Sequence, residues 1–177
     1  MTKWMAIVVI ALLIVGCTAA VAEEGKTPIA LSYAVYYPSN STTSDVFGNS
    51  WSGFGLSILR PQDKAKWDTL VTFHGGSSSR SGADASLFGV EYGVQRGFGG
   101  DEKAQPFVIL GVGPFHGRVD TPTVDESKWG INASATVGVL FNDRFQVAAT
   151  YDVYSKVGGF NFNGLTLSAG IKLFDIK

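Results

Sequence analysis

From Ile29 onward, apolar side chains return at every second position, in run after run, to the end of the chain. Only an extended strand throws alternate residues onto opposite faces, so this period of two excludes a helical fold. Lys128–Phe141 shows the pattern best. Trp129, Ile131, Ala133, Ala135, Val137, Val139 and Phe141 share one face, and Gly130, Asn132, Ser134, Thr136 and Gly138 share the other. The same reading gives strands at Ile29–Tyr37, Trp51–Arg60, Ala65–His74, Asp84–Arg96, Pro106–Phe115, Phe145–Tyr154 and Leu165–Leu173. In Pro106–Phe115 the apolar Phe107 and Ile109 blur the alternation. That makes eight strands, each close to the roughly 9–11 residues of a tilted membrane-crossing strand.

The connections alternate too. Pro38–Ser50, Gly75–Ala83, His116–Ser127 and Ser155–Asn163 read as loops at one end and are mostly long. Pro61–Lys64, Gly97–Gln105 and Asn142–Arg144 are mostly short and belong to the other end. Hairpins in unbroken succession predict an up-and-down antiparallel sheet, and eight strands suffice to close it into a barrel. Nothing reads as a linker, so one domain is expected.

Which face points inward decides the class. A soluble barrel buries its apolar face and shows a surface roughly a quarter to a third charged. Here only 16% of all residues are charged, and the polar faces are mostly Gly, Ala, Ser and Thr. Small residues suit a tight interior, whereas the apolar face, with Tyr37, Trp129, Phe141 and Phe145 near strand ends, suits lipid and an interfacial aromatic girdle. The expected fold is therefore all-β, an eight-stranded antiparallel up-and-down transmembrane β-barrel. The competing reading is a soluble periplasmic or secreted barrel whose apolar face lines a ligand pocket.

Met1–Ala22 has the layout of a secretory signal: Lys3, the apolar run Ala6–Val15, then small residues up to Ala20-Val21-Ala22. The expected division is a signal peptide at 1–22 and a barrel domain at 23–177. Ile14-Val15-Gly16-Cys17 offers a second cut, before a lipidated Cys17. Fourteen basic against fifteen acidic residues argue against electrostatic binding of nucleic acid. A single cysteine excludes a disulfide framework and a multi-cysteine zinc site, and two histidines, His74 and His116, leave little for metal chemistry. No cofactor is expected.

Two segments carry a family resemblance. Pro106–Gly113 is a glycine-punctuated strand after a proline, and Leu165–Phe174 ends the chain with polar Ser168, Gly170 and apolar Leu173 in regular spacing. Both resemble the small eight-stranded outer-membrane barrels of Gram-negative bacteria, the OmpA/OmpX/OmpW-like superfamily, whose final strand is read by the barrel-insertion machinery. Asp175 departs from that pattern, standing where an aromatic or apolar residue is usual. The resemblance implies a monomer among outer-membrane lipids, with a structural or surface-interaction role or a narrow channel for small solutes. Its long loops would face outward and its short turns the periplasm.

Candidate chemistry is sparse. His116 is near Arg118, Asp120, Asp125 and Glu126, but no Gly-x-Ser-x-Gly elbow exists, and neither histidine begins the His-x-Ser pattern of the outer-membrane lipid A deacylases. A non-enzymatic protein is expected. Lys66, Asp68, Glu91 and Lys172 all fall on the polar face. Buried charges persist when paired, so these four are expected to form an interior ion network, with Lys66 or Asp68 opposite Glu91.

Overall fold

The computed structural model describes residues 27–61, 67–99 and 103–176. The signal segment with Cys17, and Lys66, lie outside them. Eight strands, β1 (Thr27–Pro38), β2 (Trp51–Arg60), β3 (Asp68–Arg80), β4 (Ala83–Gly97), β5 (Ala104–Asp120), β6 (Asp125–Phe141), β7 (Phe145–Tyr154) and β8 (Gly164–Ile176), form one closed barrel in chain order. All neighbours are antiparallel, and β8 returns to β1 with Val35 opposite Leu167 and Ala30 opposite Lys172. Around the closed wall every strand has a neighbour on both sides. A short helix, α1 (Ser41–Phe47), interrupts the first loop. Asn40 caps it, its side-chain oxygen accepting from the Thr43 amide at 3.1 Å.

The apolar face points out. Leu110, Ile131, Val137 and Leu167 are 53%, 68%, 60% and 45% exposed, and Tyr37, Trp129, Phe141 and Phe145 are exposed with them. This rules out the soluble barrel with an apolar pocket. Trp129 and Phe141 stand twelve residues apart on β6, about 30 Å along the axis of a barrel whose strands tilt about 40°. That spacing matches the height of a lipid-facing band. At its lower edge Arg144 lies over the Phe145 ring, 5.9 Å from its centre, and Arg96 lies 5.5 Å from that of Phe98. At its upper edge Phe88, His116 and Trp129 sit side by side on β4, β5 and β6.

Two of the expected loops are strands instead. β3 continues through Gly75–Arg80 and turns at Ser81-Gly82, both at positive φ (50° and 80°), straight into β4. β5 and β6 likewise run on to Asp120 and from Asp125, leaving a four-residue turn between them. These hairpins project past the upper aromatic row, where lipid no longer dictates the alternation. The alternation continues unbroken, but the chemistry of the two faces reverses there. Ala83, Ala85, Leu87, Phe115 and Val119 face inward and are buried, whereas Asp84, Ser86, Arg118 and Asp120 face outward.

Candidate functional site in the barrel lumen

Glycines make room for the polar centre of the lumen. Glu91 on β4 reaches over β5 to β6 because Gly111 has no side chain. A β-carbon there would stand 2.9 Å from both Glu91 Oε2 and Ser134 Oγ. Across that gap Ser134 Oγ donates to Glu91 Oε2 at 2.9 Å and Asn132 Nδ2 donates to Glu91 Oε1. Gly89 performs the same service for His74, whose imidazole occupies the place its side chain would take.

Asp152 on β7 stands directly opposite Ser134 and accepts from Thr166 Oγ1 at 2.7 Å. Thr136 and Thr150 share a hydrogen bond of 2.8 Å, and Ser57 and Thr72 one of 3.1 Å. Glu91, His74, Asp152 and these hydroxyls surround a cavity of about 140 Å³, room for several waters. Among the described residues, neither Glu91 nor Asp152 has an ion-pair partner. His74 Nε2 and Asn132 Oδ1 are buried with no hydrogen-bond partner among the described residues. Among the described residues, no three His, Cys, Asp or Glu side chains converge closely enough to hold a bare metal ion.

Above this layer the lumen is closed by a core of the kind found in soluble proteins. Phe47 from α1, Trp51, Phe115, Phe162, Val119 and Val157 are almost wholly buried together, with Tyr36 and Tyr154 at their lower margin. The rings meet mainly edge to face: Tyr36 and Trp51 at 5.3 Å, Phe47 and Phe160 at 4.9 Å, Phe115 and Tyr154 at 4.9 Å. Polar contacts fasten the lid. Thr43 Oγ1 donates to the Asn161 carbonyl at 2.7 Å, the Tyr36 hydroxyl to that of Phe162, and the Ser78 hydroxyl to that of Phe47. Asn163 Oδ1 accepts from the Tyr154 amide at 2.9 Å. α1 and residues 155–163 therefore form one cap, drawn together from loops more than a hundred residues apart.

Of the residues expected to form an ion network, the three described ones, Asp68, Glu91 and Lys172, are spread out. The residue opposite Glu91 is Thr72, and Asp68 stands opposite Gln95 at the start of β3, so Asp68 does not face Glu91 in the sheet. Lys172 pairs with Asp175 on its own strand at 2.9 Å. Lys66 lies outside the described residues. Sequence reasoning passed over His74 and Asp152 as site residues. The signal for Asp152 was present, since it alternates with Thr150 and Tyr154 on the inner face of β7.

His116 lies on a strand, not in a loop. It points outward at the upper aromatic row, 5.2 Å from the Trp129 ring, with Nε2 2.9 Å from Ser127 Oγ. Asp120 and Asp125 turn to Arg118 instead, at 3.4 and 4.0 Å.

No protein-family model and no curated protein sequence matches this chain. Solved structures do. Neisserial surface protein A superposes with a TM-score of 0.67 at 17% identity, covering 85% of this chain and 99% of that one. The fold is that of the small eight-stranded outer-membrane barrels. The outer-membrane enzyme PagL has the same fold at a TM-score of 0.58 and 15% identity, over 81% of this chain and 98% of its own. Ail, the attachment invasion locus protein of Yersinia pestis, follows at 0.52 and 19%, over 85% and 100%. One outer-membrane barrel fold thus carries an enzyme and an attachment protein, and the likeness by itself selects neither role.

Proposed function

We propose that this protein is a sealed outer-membrane barrel with a structural or surface-interaction role, presenting its upper hairpins and cap outside the cell. One observation carries the reading: the upper lumen is filled by Phe47, Trp51, Phe115 and Phe162, each at most 2% exposed. Eight strands leave an interior that side chains can fill, and here apolar side chains fill one end of it. That argues against a narrow channel for small solutes.

A non-enzymatic role fits the one Ser–His contact as well. Ser127 and His116 have no carboxylate bonded to the imidazole among the described contacts. The backbone of Gly117, next to His116, is taken up in sheet pairing on both sides, with Leu87 and Lys128.

The test combines location with exposure. Cell fractionation should recover the protein in the outer membrane, and it should migrate as a compact, heat-modifiable band in SDS. Antibody raised to residues 155–163 should bind intact cells. Recovery from the soluble periplasm, or binding only after the outer membrane is opened, would refute the proposal.

A further inference from the structure

The outer face of the wall carries different charges at its two ends. Above the upper aromatic row stand Asp84, Asp120 and Asp125 with Arg118, and Arg118 is engaged by Asp120 and Asp125 at 3.4 and 4.0 Å. At the lower edge stand Arg96 and Arg144, each laid on an aromatic ring. Tyr92, Val94 and Arg96 follow one another on the outer face of β4, because residues two apart share a face. Phe98 comes next and is 44% exposed, its amide donating to the Pro106 carbonyl at 2.9 Å. Asp68 stands opposite Gln95, which sets Trp67, the residue before it, beside Arg96. The guanidinium carbon therefore lies 5.9 Å from the Trp67 ring centre and 5.5 Å from that of Phe98. Arg144 repeats the arrangement over Phe145 at 5.9 Å. Its amide donates to the Phe141 carbonyl and its carbonyl accepts from the Lys172 amide, so both sides of its backbone are held.

A guanidinium stacked on rings uses its flat faces and keeps the N–H donors at its rim, which match the oxygens of a phosphate. The lower edge is where the apolar wall ends and the surrounding leaflet presents its headgroups. We propose that Arg96, with Trp67 and Phe98, binds an anionic phospholipid of the phosphatidylglycerol class in the leaflet at the short-turn end. Arg144 on Phe145 is a second, weaker site of the same kind. Arg96 takes the phosphodiester as a fork, the two rings flank the glycerol region, and the acyl chains run along the wall over Val94 and Val108. A zwitterionic lipid brings its own ammonium to the same oxygens, so the site favours a headgroup of net negative charge. The site lies on the outer wall and does not depend on the seal of the lumen.

The test uses the chain without its signal segment, folded in detergent and offered equal amounts of phosphatidylglycerol and phosphatidylcholine with the same acyl chains. Native mass spectrometry should show phosphatidylglycerol retained about fivefold over phosphatidylcholine. Arg96→Gln should remove most of that preference and Arg96→Gln with Arg144→Gln all of it, while Arg118→Gln, at the other end, should leave it unchanged. No preference in the native protein, or an undiminished one in the double variant, overturns the site. An equal loss with Arg118→Gln would reduce it to general attraction. Inorganic phosphate should not displace the lipid, because the acyl chains lie on the apolar wall; displacement would make this a site for a free anion and contradict the proposal. Should the arginine variants fail to fold, Trp129→Phe decides the matter, since Trp51 is buried and Trp67 is then the tryptophan left at the lipid surface. Phosphatidylglycerol brominated near its headgroup should quench Trp67 more than the matching phosphatidylcholine, and equal quenching would refute the site.

Discussion

Between the aromatic rows the barrel wall carries Leu110, Val137 and Leu167 outward and Ser134, Thr136 and Thr166 inward. Above the upper row the same strands carry Asp84, Arg118 and Asp120 outward and Ala85, Phe115 and Val119 inward. The sheet is continuous through the change; only the solvent differs. Where lipid surrounds the wall, apolar side chains gain by facing it, and the backbone needs only small or hydrogen-bonded groups inside. Where water surrounds it, the hydrophobic effect acts inward and builds the core beneath the cap. One barrel therefore has two opposite rules of burial, and Phe88, His116 and Trp129 mark the level at which they exchange.

The largest effect should come from the upper region. Trp51→Ala removes a ring that touches Tyr36, Phe47 and Phe162, at a cost of about 3–5 kcal/mol. Because the strands below have their own ladder, the loss should be local. Hydrogen exchange should quicken across residues 41–47 and 155–163 while β5 and β6 keep their protection. Uniform loss of protection would mean that the two regions are a single cooperative unit. In the lower region the sensitive face is outside: Leu110→Arg, at mid-band, should cost about 2–4 kcal/mol of folding stability in lipid vesicles. An unchanged denaturation midpoint would place Leu110 away from lipid.

A smaller effect sharpens the contrast inside. Glu91→Leu strands the donors of Asn132 and Ser134, at about 1–3 kcal/mol. Replacing all three with Leu, Leu and Ala should recover much of the loss, because an apolar set leaves no donor unpaired. A triple variant as unstable as the single one would show that the lumen requires polarity for its own sake. Least of all should Ser127→Ala matter. It lies on the outer surface and is expected within about 0.5 kcal/mol of the native protein, with no change in lipid composition of the host membrane. An altered lipid profile would point to catalysis by Ser127 and His116.

The pattern of two levels explains what the sequence could reveal. The lipid-facing zone was plain in Trp129–Phe141, because lipid on one side and a narrow lumen on the other enforce strict alternation. Gly75–Ala83 and His116–Ser127 looked like loops because they are rich in Gly, Ser and charged residues. They are strands in water, where polar outward positions are what the solvent favours, and their inward Ala83 and Val119 were too few to announce a second core. Phe107 blurred the reading of β5 for a specific reason: its ring fills the space over Gly138 on the next strand. At the centre, Glu91 was recognisable as an inward charge, but its partners were not. Thr72 opposes it through the Ser81-Gly82 turn, and turn position sets register. Its bonds to Asn132 and Ser134 cross a whole strand, and only the missing side chain of Gly111 permits that.

A cap that seals an otherwise polar lumen should leave the barrel without conductance across a planar bilayer. The native protein should insert without opening a measurable pore. Phe47→Ser with Phe162→Ser, which hydrates the seal while leaving the strands paired, should give steady ion-conducting steps. Steady conductance by the native protein, unchanged in the double variant, would contradict the account.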